Sequence, residues 1–212
     1  MVSRLIDQYP TTFAVYEMHI YDDYPSAWAN QREAFYGYSG DGLFFYDGLW
    51  DAWPIETYET KLNQRQAVPT DVTIDLTGVE SGSQTYDVTG HVCVEPDGIG
   101  KTMRIYMVHA LDHWPASPTY ERNTIRQGAT TEDVAVPSGA CVDITRTFVF
   151  DDISWAQQDD IKIVAWAQTP ATLYPAEVHQ AKVMSWPFTL PAELFSDGFE
   201  HGDTSAWSST TP

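Results

Sequence analysis

The sequence has only two cysteines, and they do not form a Cys-X-X-Cys pair, so the chain carries no dithiol motif for electron exchange. No apolar run reaches the roughly 18 residues that a membrane-spanning helix requires, which excludes a helical span. Basic residues are also scarce. Eleven Lys and Arg face thirty Asp and Glu, for a formal charge of -19. That field repels phosphate backbones and anionic membranes alike, so nucleic acid is excluded as a natural partner. The acids are scattered singly and in pairs, as on a solubilising surface. Phosphate-binding loops and dinucleotide fingerprints are missing. The stretch "GYSGD" from Gly37 approaches a nucleophile elbow but ends in Asp41, and Ser39 follows a helix rather than a strand. The opening "MVSRLIDQYP" lacks a basic n-region and an apolar h-region, so an export signal is expected to lie outside this stretch.

The residues that are present can build a real core. The chain is 212 residues long, 43% hydrophobic, with eight Trp and twelve Tyr. In residues 2–9, Val2, Leu5, Ile6 and Tyr9 stand at helical spacing before Pro10. "TTFAVYEMHIY" has two largely apolar faces and is expected as a buried strand. Ser26 is expected to cap a helix over "AWANQREAFY" that ends in a left-handed turn at Gly37. "GLFFYDG" predicts a short strand closed by an Asp47-Gly48 turn, and Pro54 opens a helix bearing Ile55, Tyr58 and Leu62. From Pro69 the period changes to two. "DVTIDLTGV", "TYDVTGHVCVE", "TMRIYMVHAL", "CVDITRTFVF", "DIKIVAWAQ" and "EVHQAKVMSW" predict a sandwich of about seven strands, with "YERNTIRQG" as a further edge strand. The expected class is α+β with two domains: an incomplete α/β unit over 1–68, an antiparallel β-sandwich over 69–188 and a Gly/Ser/Thr-rich tail over 189–212.

The run "LIDQYPTTFAVYEMHIYDDYPSAWANQREAFYGYSGDGLFFYDGL", then "YETKLNQRQAVPTDVTIDLTG", "YERNTIRQG" and "AEVHQAKV", resembles the bacterial secreted thioredoxin-like proteins of the Omp28-related outer membrane type. The resemblance spans roughly residues 3–188. It implies a thioredoxin-like unit followed by an immunoglobulin-like or fibronectin-like sandwich, and a home on the bacterial outer surface or outside the cell. The family's first strand and Cys-X-X-Cys helix start would precede Ser3, so the first unit is expected to be truncated at its N-terminus. Its active-site proline aligns with Gly42, where glycine leaves the loop free to move. The resemblance therefore implies the inherited shape without thiol chemistry, unless upstream sequence restores the motif. Omission of the first strand would leave a strand edge unpartnered, and self-association through that edge is expected.

Cys93 and Cys141 fall on the faces of their strands opposite the apolar positions. If those strands pair antiparallel, a structural disulfide is expected in preference to two free thiols, and a catalytic thiol least of all. "VHALDHW" sets His109 and His113 four apart around Asp112, a metal-binding spacing on a helix. On a strand the same residues read otherwise: His109 joins the core and His113 sits in a loop. "EMHIYDDY" offers His19 and Asp22 as ligands at a strand end, or as a strand-end histidine before a solvated acidic turn. His201, with Asp197, Glu200 and Asp203, would hold calcium only loosely. Trp50, Trp53 and Trp114 are expected as exposed aromatics of a binding surface. The reading that follows is an exported, non-redox binding or interaction module of unknown ligand. The alternative is a hydrolase dependent on a divalent metal (zinc, manganese or calcium) at the His/Asp positions.

Overall fold

The computed structural model describes residues 2–10, 12–19, 26–37, 44–52, 57–117 and 121–188, with the backbone alone for 50–52. The first helices are α1 (Val2–Gln8) and α2 (Ala27–Tyr36). Ser26 Oγ accepts the Ala29 N–H at 3.0 Å and caps α2, while Gly37 at φ 64° ends it in the left-handed region. A hairpin of β1 (Phe44–Tyr46) and β2 (Trp50–Ala52) turns through Asp47 and Gly48, both at positive φ. Gly48 is required there by space as well as by φ, because a Cβ would lie 1.9 Å from the Ala176 carbonyl oxygen. Helix α3 (Tyr58–Gln66) buries Tyr58 and Leu62, and with Leu5, Tyr46, Phe13 and Phe44 these form a small aromatic-rich cluster. Pro54 and Ile55 lie outside the described residues.

The rest of the chain is antiparallel sheet. β3 (Val72–Gly82), β4 (Thr85–Val94), β5 (Lys101–Leu111), β6 (Thr124–Gly128), β7 (Glu132–Val136) and β8 (Cys141–Val149) are followed by α4 (Asp152–Ala156), a 3-10 turn, β9 (Ile161–Gln168) and β10 (Val178–Ser185). One sheet has the order β3-β4-β8. The other runs β10-β9-β5-β6, with β7 also pairing β5. Their facing side chains, among them Val72, Val88, Val92, Met103, Ile105, Ile163 and Phe148, form the main core. Alternation places those residues inward and their neighbours outward, as period-two strands require. β7 and α4 had not been expected from the sequence pattern; β7 spans five residues and α4 is likewise short.

The five-stranded sheet is buried on both faces. Its outer face carries Tyr106, Val108, Ile125, Val164 and Trp166, which pack against Ala14, Tyr16, Met18 and Trp28 of the N-terminal layer. Trp28 lies so close to Gly128 on β6 that a Cβ there would fall 2.0 Å from the indole. The segment 13–19, expected as a buried strand, is extended but joins no strand ladder among the described residues. Its contact is an isolated parallel bridge between Glu17 and Thr124, made by Glu17 N–H to the Asn123 carbonyl and Ile125 N–H to the Glu17 carbonyl, both at 3.0 Å. The physical reason is that Ala14, Tyr16 and Met18 lie over the aromatic outer face while Phe13, Val15 and His19 on the alternate face are covered by other parts of the chain, so the segment is sandwiched against a sheet rather than paired within one.

Candidate functional site

Between the N-terminal layer and the outer face of the five-stranded sheet runs a cleft of 1710 Å³. Tyr106 and Trp166 stack with ring centroids 4.8 Å apart, and Tyr16 stacks on the same indole at 5.0 Å. Arg32, projecting from α2, lines this cleft and is 4% exposed. Its guanidinium carbon lies 4.0 Å from the Phe35 ring centroid and 4.7 Å from that of Tyr106, within cation–π range. Nη1 donates to Tyr106 Oη at 3.2 Å, and Nη2 donates to Tyr36 Oη at 3.3 Å and to Gln168 Oε1 at 2.8 Å.

Arg32 differs from every other arginine of the chain in one respect. Arg4, Arg65, Arg104, Arg122, Arg126 and Arg146 each hold a carboxylate within ion-pair distance. Arg32 has none among the described residues, and its buried Nε has no hydrogen-bond partner. Burial pushes the Tyr16 phenol well above its ordinary range, so Tyr16 is a neutral neighbour and not a counter-ion. A buried guanidinium served only by neutral acceptors is an uncompensated positive centre among the Phe35, Tyr36, Tyr106 and Trp166 rings.

A second cluster gathers at the end of the segment 13–19. Glu17 and His19 stand two apart on an extended chain and so share a face. The chain preceding β6 brings Glu121 to them, and one ligand atom from each of the three lies within 4.8 Å of the others. His19 Nε2 is 3.4 Å from Glu121 Oε2 and 3.3 Å from Thr124 Oγ1. His19 and Glu121 are both 8% exposed, whereas Glu17 is exposed. Glu121 Oε2 is buried and makes no hydrogen bond.

The residues singled out in the sequence are not gathered at one place. His109 points into the main core at 2% exposure, edge-on to Phe150 at 4.7 Å, and its Nε2 has no hydrogen-bond partner. Burial pushes its pKa down to about 3, which keeps the ring neutral. Asp112, one residue past β5, is itself buried and serves as an ionic hub. Its Oδ1 accepts from Arg122 Nε at 2.5 Å, and its Oδ2 accepts from Lys162 Nζ at 2.6 Å. Burial alone would raise the Asp112 pKa, but the Arg122 and Lys162 hydrogen bonds outweigh it and hold the carboxyl at about 2. His113 is exposed, with Nδ1 3.3 Å from Asp160 Oδ1. Asp112 is thus committed to two cations, and His109 lies in the sandwich core away from the exposed His113.

Cys93 and Cys141 face each other in the β4–β8 register and are joined by a disulfide. His91 lies beside them, but its Nδ1 is engaged with Asp143 at 2.6 Å, and the bonded sulfurs are not thiolates. Trp114 corrects an expectation: it is 9% exposed, packed in the main core beneath Arg126, whose guanidinium carbon lies 4.0 Å from its ring centroid. The bend after β5 that turns His113 outward folds Trp114 inward. Asp22, Trp53, Gly42 and His201 lie outside the described residues, as does the Trp50 side chain. Arg32, Glu17 and Glu121 were not singled out in the sequence. Glu17 carried a local signal in its two-residue offset from His19. Glu121 carried none, since a hundred residues of chain separate it from His19.

No family model and no curated protein matches this sequence. Among solved structures, the chain is similar to HBP35 of Porphyromonas gingivalis, with a TM-score of 0.60 and 12% identity over 77% of this chain and 58% of that one. It thus spans well under two thirds of that structure's length, and the likeness is one of fold. A domain of the outer membrane lipoprotein Omp28 from Porphyromonas gingivalis also matches, with a TM-score of 0.42 and 14% identity over 56% of this chain and 90% of that one.

Proposed function

We propose that this chain is an exported binding module without thiol-redox chemistry, and that the cleft beneath α2 receives a ligand bearing an acidic group on an aromatic or apolar body. The observation that carries this reading is Arg32: a buried guanidinium at the cleft wall that, among the described residues, lacks the carboxylate every other arginine has. A ligand carboxylate supplies the missing counter-charge, and the Tyr16–Trp166–Tyr106 stack supplies apolar contact. The cleft exceeds the roughly 300–1,000 Å³ of ordinary small-molecule pockets, which favours a bulky or extended ligand. Export is supported by the Cys93–Cys141 disulfide, since such bonds persist in oxidising compartments.

In this reading residues 1–68 are the degenerate thioredoxin-like unit and 69–188 an immunoglobulin-like sandwich. Support comes from the order helix, extended segment, helix, hairpin, helix, followed by two packed antiparallel sheets.

The test is a thermal-shift and calorimetric titration of the whole chain with indole-3-acetate, 2-naphthoate and hexanoate, each beside its neutral amide. The expected result is stabilisation by an aromatic carboxylate, none by its amide, and loss of the effect in Arg32→Met. Failure of all three acids, or binding that survives Arg32→Met, would overturn the reading.

A further inference from the structure

We propose that Glu17, His19 and Glu121 form a binding site for one divalent cation of the zinc class, with a coordination position open to the cleft. The donor set is one imidazole and two carboxylates, borderline and hard ligands that zinc accepts together. All three residues line the cleft, so the ion would be held at its wall and would not be sealed inside the fold. Three protein donors leave the fourth tetrahedral position for water or for a ligand oxygen.

Two features carry the assignment beyond a chance meeting of acids. The first is spacing. Two donors bound tetrahedrally at about 2.0–2.1 Å stand about 3.4 Å apart, and His19 Nε2 lies 3.4 Å from Glu121 Oε2. The second is an unmet need. Glu121 is 8% exposed, yet its Oε2 accepts no hydrogen bond, and a buried carboxylate oxygen in that state is costly unless a cation meets it. Metal binding would draw the imidazole and the two carboxylates together around one ion.

The backbone holds the set in place. The bridge between Glu17 and Thr124 fixes the register of 13–19 against β6, which brings Glu17 and His19 to the side where Glu121 enters. Glu17 is the one exposed ligand and stands at the solvent side of the site.

The experiment uses the untagged, oxidised full chain, stripped with EDTA and titrated with zinc chloride by calorimetry. Elemental analysis after gel filtration gives the stoichiometry, and zinc-edge absorption spectroscopy reads the donors. One equivalent is expected, with nitrogen and oxygen donors and no sulfur. Glu17→Gln and Glu121→Gln are each expected to weaken binding by more than about tenfold, the loss that even an outer-shell partner can produce. His91→Ala, beside the disulfide, is expected to leave it unchanged. Glu17→Gln alters an exposed side chain, so circular dichroism will show a folded variant even if Glu121→Gln is unstable. No binding up to millimolar zinc, binding indifferent to Glu17→Gln, or sulfur in the donor shell would overturn the assignment. None of these outcomes bears on the Arg32 carboxylate titration.

Discussion

Arg32 Nη2 donates to Gln168 Oε1 at 2.8 Å across 136 positions of sequence, joining α2 to the end of β9. Gln168 Nε2 donates in turn to the Ala176 carbonyl at 2.7 Å, and the Ala176 N–H donates to the Gly48 carbonyl at 2.9 Å. One amide side chain thus ties the N-terminal helix, the hairpin turn and the sandwich together. Gln168→Leu keeps the volume but removes both bonds, leaving a buried cation short of an acceptor. The expected loss is about 2–3 kcal/mol in urea unfolding. An unchanged midpoint would show that the layer does not depend on this contact.

The Cys93–Cys141 disulfide closes a separation of 48 residues between strands already in register. Chain entropy puts its removal at about 4 kcal/mol, an upper bound because the loop model ignores residual pairing in the unfolded state. Urea unfolding of the Cys93→Ser/Cys141→Ser double variant, and of the native chain with reductant, should agree to within error. Stability unaltered in both would refute a structural role for the bond.

Asp112 anchors Arg122 and Lys162 in a partly buried ionic triad. Asp112→Ala strands two cations that keep only partial solvent, and a loss of about 2–4 kcal/mol is expected. Arg122 retains Asp7 at 3.0 Å, which limits the damage. Thermal unfolding of this variant beside Asp7→Ala checks the assignment, since the exposed Asp7 should cost well under 1 kcal/mol.

His109 makes the fold sensitive to acid. Its folded pKa lies near 3, against about 6.5 in an unfolded chain. Below about 6.5 the unfolded state takes up a proton that the buried ring refuses, so stability falls as pH drops toward 3, by up to about 1.4 kcal/mol per unit. Asp112, held near 2, adds a further loss as pH falls from about 4 toward 2. His109→Phe preserves the ring against Phe150 and removes one proton from this linkage. Unfolding free energies from pH 7 to 4 should fall less steeply in His109→Phe than in the native chain. Parallel slopes would contradict the burial of a neutral imidazole.

Much of the local structure was legible beforehand. Ser26 and Gly37 bound a helix because a side-chain acceptor and a left-handed residue are local requirements. Asp47 and Gly48 turn a hairpin for the same reason. Six long alternating runs became β3, β4, β5, β8, β9 and β10, since period two is written into adjacent residues. β7 escaped notice because "EDVAV" alternates over too few positions to stand out.

The sequence by itself determined where the chain bends, caps and alternates, the sign of its field, and which few residue types were available for chemistry. Only the tertiary structure decided that the segment 13–19 would lie over a sheet instead of inside one, that Trp114 would be buried, and that Glu121 would meet His19. Those outcomes depend on which surfaces remain uncovered once the sheets have packed. A buried polar atom finds its partner through space, at separations that no local period encodes.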